Sequence, residues 1–292
     1  MTLFTLSLVV LAALIHATWN LLSKRAADAG PVFVFTYAAV GCVAYLPWLL
    51  YLFWSGHGVL SGQAWLFIAI SGVVHLVYSL CLQRGYQVTD LSVVYPVARG
   101  MGPVFSTIGA FVILGEPVTG FGVTGLIAVV LGIILISTRG RIRLFFEPKS
   151  QLGVRWGGLT GLMIATYTVV DAFAVKRLAV HPVVLDWFGN LFRMLLLLPL
   201  ILRDPAKCRA RMRGKWGLAI AVGVLSPMSY ILVLWALRLG SPLSVVAPAR
   251  EMSMMLGVML GMVVLREQVG FWRTFGCALV IFGVIALTQV SA

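Results

Sequence analysis

Leu91 to Pro103 reads "LSVVYPVARGMGP", and at an offset of 152 Leu243 to Glu251 reads "LSVVAPARE". Both stretches place a proline and then an arginine inside an apolar run. At the same offset of 152, Lys24-Arg25 falls on Lys176-Arg177 and Pro47 on Pro199. Beyond the motif the offset is 151, and Glu116 falls on Glu267, Gly125 on Gly276 and Gly132 on Gly283. One residue is therefore extra in the first copy, between Pro96 and Glu116. If it is Val97, Arg99 aligns with Arg250 and Gly100 with Glu251; a later gap pairs Arg99 with Glu251 instead. Single matches between apolar helices are cheap, but a register held over more than a hundred positions marks an internal duplication.

The composition sets what is duplicated. The chain is 61% hydrophobic and 11% charged, whereas soluble domains carry about 25% charged residues. Apolar runs recur at close to the ~20 residues that cross a hydrocarbon core of ~30 Å. These imply an all-α polytopic membrane protein with ten transmembrane helices, predicted at 3–22, 32–54, 64–83, 91–114, 120–138, 157–175, 183–202, 216–237, 243–265 and 271–289. The first run lacks a basic n-region and a small-x-small cleavage site, so it reads as a retained helix and not a signal peptide. Residues 1–138 form a first five-helix repeat and 156–292 a second. Between them, 139–155 ("RGRIRLFFEPKSQLGVR") mixes arginine with phenylalanine, as a basic linker lying at the lipid interface does.

Five helices per copy is an odd number, so the second copy enters the membrane inverted, as in many secondary transporters. The charges agree. The connection after helix two (Ser55 to Gln63) has no Lys or Arg, whereas its counterpart after helix seven has Arg203, Lys207, Arg209, Arg211, Arg213 and Lys215. Odd-numbered connections carry sixteen Lys and Arg, counting Arg273 in the first turn of the last span; the even ones carry only Lys176, Arg177 and Arg238. The positive-inside rule then places both termini outside. The net charge of +13 sits between apolar runs, where it meets anionic lipid, so nucleic acid is not an expected partner.

Two stretches carry a family resemblance: "LGEPVTGFGVTGLIAVVLGIILI" (Leu114 to Ile136) and "LREQVGFWRTFGCALVIFGVIAL" (Leu265 to Leu287). With "LIHATWNLLSKR" (Leu14 to Arg25), they resemble the EamA-type carriers of the drug/metabolite transporter superfamily. The resemblance implies a ten-helix basket in the bacterial inner membrane, with a central cavity lined by helices 1, 3, 4, 6, 8 and 9 and transport by alternating access. It also implies cytoplasmic termini, the reverse of the charge count.

Six Asp, Glu and Arg residues fall within the predicted spans, leaving aside Arg273 in the first turn of the last one: Arg99, Asp171, Asp186, Arg193, Arg250 and Glu251. A charge at the bilayer centre costs about 2.5–3.5 kcal/mol on insertion scales, so these residues are candidates for function or for pairing. Pro96, Pro103 and Pro248 kink the helices that carry the two arginines, since a proline removes a backbone bond. Freed carbonyls at that depth must be buried or face a wet cavity. The expected site is therefore Arg99 and Arg250 for a carboxylate, and Glu251 with Asp171 for an amine or a proton. Tyr95 and Asn20 belong to the same central cavity. Adjacent helical residues point ~100° apart, so Arg250 and Glu251 are poorly placed to pair with each other.

Other residues have blander readings. Asp186, Asn190 and Arg193 share a face of helix seven, lining a path or tying that helix to a neighbour. Asp171 lies five residues before Lys176, near an interface. Trp19, which aligns with Asp171, reads as an interfacial anchor, and His75 as a satisfied interior histidine. Glu116 and Glu267 suit helix starts. Gly125/Gly132 and Gly276/Gly283, each spaced by seven, suit close helix packing. The cysteines (Cys42, Cys81, Cys208, Cys277) and histidines are scattered, so no metal and no cofactor is expected.

The reading is a secondary active transporter for a small polar metabolite, an amino acid or other zwitterion or organic anion. Its partners are that small molecule and the lipid bilayer, with proton or counter-substrate coupling, and it works as a monomer or homodimer. An exporter of cationic drugs or polyamines is the alternative within transporters. An integral membrane enzyme is the alternative of another class; no HExxH or GxSxG motif supports it.

Overall fold

The computed structural model describes residues 2–56, 60–88, 91–147, 150–256, 258 and 270–289. Among these residues the chain is helical, with short turns and no strand. The helices are α1 (Leu3–Lys24), α2 (Pro31–Trp54), α3 (Gly62–Val88), α4 (Leu91–Ile113), α5 (Gly120–Thr138), α6 (Gln151–Lys176), α7 (Pro182–Arg203), α8 (Pro205–Arg211), α9 (Trp216–Arg238), α10 (Leu243–Ala249) and α11 (Phe271–Thr288). Nine of them are long and apolar enough to cross a membrane: all but α8 and α10. Large apolar side chains such as Trp54, Val112 and Phe121 face outward, as expected against lipid.

Local chemistry sets the ends. Thr2 starts α1 and Thr119 starts α5, each side-chain hydroxyl accepting an orphan backbone N–H. Pro31 and Pro182 open α2 and α7, where their missing N–H costs nothing. The helix α5 stops at Arg139, which takes the left-handed conformation at φ 52°.

Three expectations from the sequence change. The predicted ninth span, 243–265, is not continuous. α10 ends at Ala249, Arg250 and Glu251 form a turn, and the chain is helical again over 252–256. Pro248 removes one N–H just ahead of that break. Positions 257 and 259–265 lie outside the described residues. α6 begins at Gln151 and not at 157, taking the last residues of the expected linker; polar Gln151 and Arg155 had masked its first turns. The basic connection after α7 contains α8, whose first turn is capped by Asp204 accepting from Lys207 N at 2.9 Å, with Pro205 at its first position.

Helix pairing follows the alignment of the two halves. α1 packs on α9 as α6 packs on α3, and α2 meets α9 as α7 meets α3. α5 and α11 pack closely. A Cβ added at Gly125 would lie 2.8 Å from Gly283 O, and one at Gly283 would lie 2.7 Å from Gly125 O. Gly132 and Gly276 face each other likewise, at 2.7 and 2.8 Å. Only glycine permits that backbone approach. α6 lies as tightly on α4, where a Cβ at Gly157 would meet Val94 O at 2.8 Å. These contacts deliver the middles of α3, α4, α6 and α9 to one buried centre.

Candidate functional site

Two polar clusters occupy that centre. The first joins α1, α4 and the segment after α10. Arg99 Nε lies 2.8 Å from Glu251 Oε2, although neither atom makes an aligned hydrogen bond. Arg99 Nη2 donates to Ser253 Oγ at 2.7 Å, and its guanidinium carbon lies 5.7 Å from the centre of the Tyr95 ring. The Tyr95 hydroxyl in turn accepts from Asn20 Nδ2 at 3.3 Å. Arg99 is 5% exposed and Glu251 1%, so a dry ion pair ties the two halves together. Arg250, one residue before Glu251, is also only 5% exposed. Among the described residues it has no hydrogen bond or ion pair, and its buried Nε is unsatisfied. Tyr167, Glu251, Arg99 and Tyr230 are among the groups that bear on it electrostatically.

The second cluster surrounds Asp171 on α6. Its Oδ2 accepts from the Tyr230 hydroxyl of α9 and lies 3.2 Å from His75 Nε2 of α3. Its Oδ1 is buried without a partner. The His75 ring stacks on Tyr167, centroids 3.9 Å apart, and Tyr78 and Tyr230 close the ring edge-on. Asp171 is therefore fully buried in protein, five residues before Lys176. The helix α6 is longer than expected, and α3 and α9 cover this face of it.

The remaining candidates sort by place. On α7, Asn190 Nδ2 donates to Asp186 Oδ2 at 2.9 Å, while the buried Nε of Arg193 has no partner. Trp19 meets His16 edge-on at 4.8 Å, and its buried Nε1 is unsatisfied, unlike an anchor whose N–H sits in interfacial water. Pro96 and Pro103 lie within an unbroken α4, whereas Pro248 precedes the break after α10.

Glu116 starts a helix, but not its own. Its Oε1 accepts from Leu243 N at 2.7 Å and its Oε2 from Ser244 N at 2.9 Å, so it caps α10 from the other half. Lys176 Nζ joins Glu116 Oε1 at 2.9 Å and also donates to Ser241 O at 3.2 Å. Burial works against ionisation of Glu116, but the hydrogen bonds from Ser244, Lys176 and Leu243 prevail and hold its carboxyl below the usual value. Its counterpart Glu267 lies outside the described residues. Sequence reasoning passed over Tyr78, Tyr167, Tyr230 and Ser253; the available signal was a hydroxyl in the middle of each apolar run.

Among the described residues no group of three or more His, Cys, Asp or Glu could hold a metal ion. A multi-pass helical membrane protein with buried ion pairs at its centre has the form of a membrane carrier. Residues 3–138 and 151–289 match the EamA-like transporter family, and the chain belongs to it, within the drug/metabolite transporter superfamily. Similar solved structures include one that superposes over 99% of this chain and 98% of its own with a TM-score of 0.73, at 17% sequence identity. At that identity the likeness concerns the fold. No curated protein matches the sequence.

Proposed function

We propose that this protein is a secondary active transporter. Its two inverted five-helix halves rock about the buried centre, and it carries a small metabolite bearing a carboxylate, such as an amino acid or another zwitterion or organic anion. One observation carries the substrate class: Arg250 is a buried guanidinium without a hydrogen bond or ion pair to any described residue. A desolvated cation of that kind is stabilised by an anion, and arginine presents a fork that matches a carboxylate. Glu251 is already engaged by Arg99, so it does not neutralise Arg250 directly. The corresponding helix contacts in the two halves support the inverted repeat.

The connection after α1 and the basic one after α7 share a face, since Lys215 at the start of α9 pairs with Asp28 between α1 and α2. We assign that face to the cytoplasm of a bacterial inner membrane, which leaves both ends of the sequence outside. An alkaline phosphatase fusion after Ala292 is then active, and a fluorescent fusion there is dark.

The substrate class is tested by thermal stabilisation of the detergent-purified protein against amino acids, organic acids and polyamines. Carboxylates should raise the melting temperature, and Arg250→Ala should weaken their binding by about a hundredfold, the loss expected for a stranded buried charge partner. Stabilisation by polyamines alone, or undiminished carboxylate binding in Arg250→Ala, would sink the assignment.

A further inference from the structure

The cluster around Asp171 has a feature that carboxylate binding leaves unused. A fully buried carboxylate takes two polar neighbours on one oxygen and none on the other. One of those neighbours, His75, is 13% exposed at the side chain against 1% for Asp171. The pair therefore has a buried inner member and a more accessible outer one.

The surrounding groups decide when it does so. Tyr167 on α6, Tyr78 on α3 and Tyr230 on α9 pack against the pair. Asp186 of α7 bears on Asp171, and Arg193 of the same helix bears on His75. Arg99 of α4 reaches Tyr78. Glu251, paired with Arg99, also bears on Arg250. Arg250 acts on both His75 and Tyr230. Its positive charge repels a proton added to the imidazole, and at low dielectric that repulsion is not screened away. A carboxylate seated on Arg250 cancels the field. The two ligands then favour each other, because any gain in proton binding caused by the anion returns as an equal gain in anion binding.

We propose that His75 and Asp171 form the proton site of this transporter, loaded together with a substrate carboxylate on Arg250, so that proton and substrate cross in the same direction. One proton enters at His75 Nε2 from one side, is held between that nitrogen and Asp171 Oδ2, and leaves to the other side with the substrate. This rests on the reading of Arg250 as the carboxylate site.

The test uses the full-length protein in proteoliposomes, with a radiolabelled mixture of the common amino acids as probe. Two quantities are read: accumulation driven by an imposed pH gradient, and counterflow without a gradient. In the wild type, accumulation should follow the proton gradient inward. In His75→Gln and Asp171→Asn the ratio of accumulation to counterflow should fall by at least about tenfold, a typical coupling factor. If Asp171→Asn does not fold, His75→Gln alone decides. Either variant accumulating as the wild type does overturns the proton site, as does wild-type accumulation that ignores the gradient. The Arg250 reading fails differently: Arg250→Ala would then show undiminished counterflow, or the wild type none, and the proposal would fall with it.

Discussion

With Val97 taken as the extra residue, Arg99 and Arg250 occupy the same place in the alignment of the two halves, yet their surroundings differ. Arg99 sits in a helix that runs unbroken past Pro103, and it is paired with Glu251 and bonded to Ser253. Arg250 sits at a helix end, buried and unpaired among the described residues. The difference traces to one position. Where the second half has Glu251, the first has Gly100, whose added Cβ would meet only Val130 Cγ1 at 3.9 Å. The carboxylate does not serve its sequence neighbour. The turn at 250–251 points it at the arginine of the other half. On the proposed reading, one arginine is a structural tie and the other is left for a ligand.

The sharpest way to break that contrast is to remove the tie. Glu251→Ala strands the buried guanidinium of Arg99, and loss of one member of a buried pair costs about 3–5 kcal/mol. Arg250→Ala strands no partner, so its melting temperature should stay at or above that of the wild type. Replacing both members, Arg99→Met with Glu251→Leu, should recover most of the stability, since apolar residues of similar volume commonly replace buried ion pairs without penalty. Thermal unfolding in detergent reads all three. If Glu251→Ala and Arg250→Ala melt alike, the two arginines are not different in kind.

A second comparison sets this asymmetric centre against a seam where the halves still match. At the α5–α11 interface Gly125 and Gly132 face Gly283 and Gly276, backbone to backbone. Gly132→Ala would place a Cβ 2.7 Å from Gly276 O, which must shift the helices apart. Overpacking of this kind costs about 1–3 kcal/mol. Gly120→Ala, at the start of the same helix and with nothing within 4 Å, is the control and should melt as the wild type does. Equal melting of the two variants would mean that α5 and α11 are not pressed together at this point.

How far the sequence reached follows from what each feature depends on. Span positions and the glycine spacing are local and periodic, so hydropathy and a repeat offset expose them. The repeat also singled out Arg99, Arg250 and Glu251. Partner choice was hidden, because it depends on where a turn after Pro248 aims a side chain, and an uninterrupted helix had been expected there. The Asp171 cluster was hidden for another reason. His75, Asp171 and Tyr230 come from α3, α6 and α9, and no spacing along the chain brings three helices together. The early start of α6 was masked by Gln151 and Arg155, which look like linker when polarity alone is weighed.

The smallest expected effect concerns how the arm carrying Arg250 is held. α10 is capped by Glu116 of the other half, and Lys176 shares that carboxylate. Glu116→Gln keeps an acceptor for one backbone N–H but removes the charge, at a cost of about 1 kcal/mol, as for other lost helix caps. The pH profile separates a charge effect from a packing effect. The folded-state value of Glu116 is held below the ordinary glutamate value of about 4.3. Its contribution is therefore fully present above that value and is lost as pH falls through the lower, folded one. Wild-type melting should drop toward the Gln variant as the solution is acidified from about pH 5 to below pH 4, and the two should converge there. If the gap between them is unchanged across that range, ionised Glu116 is not what anchors the start of α10, and the asymmetry between the two arginine arms must be held elsewhere.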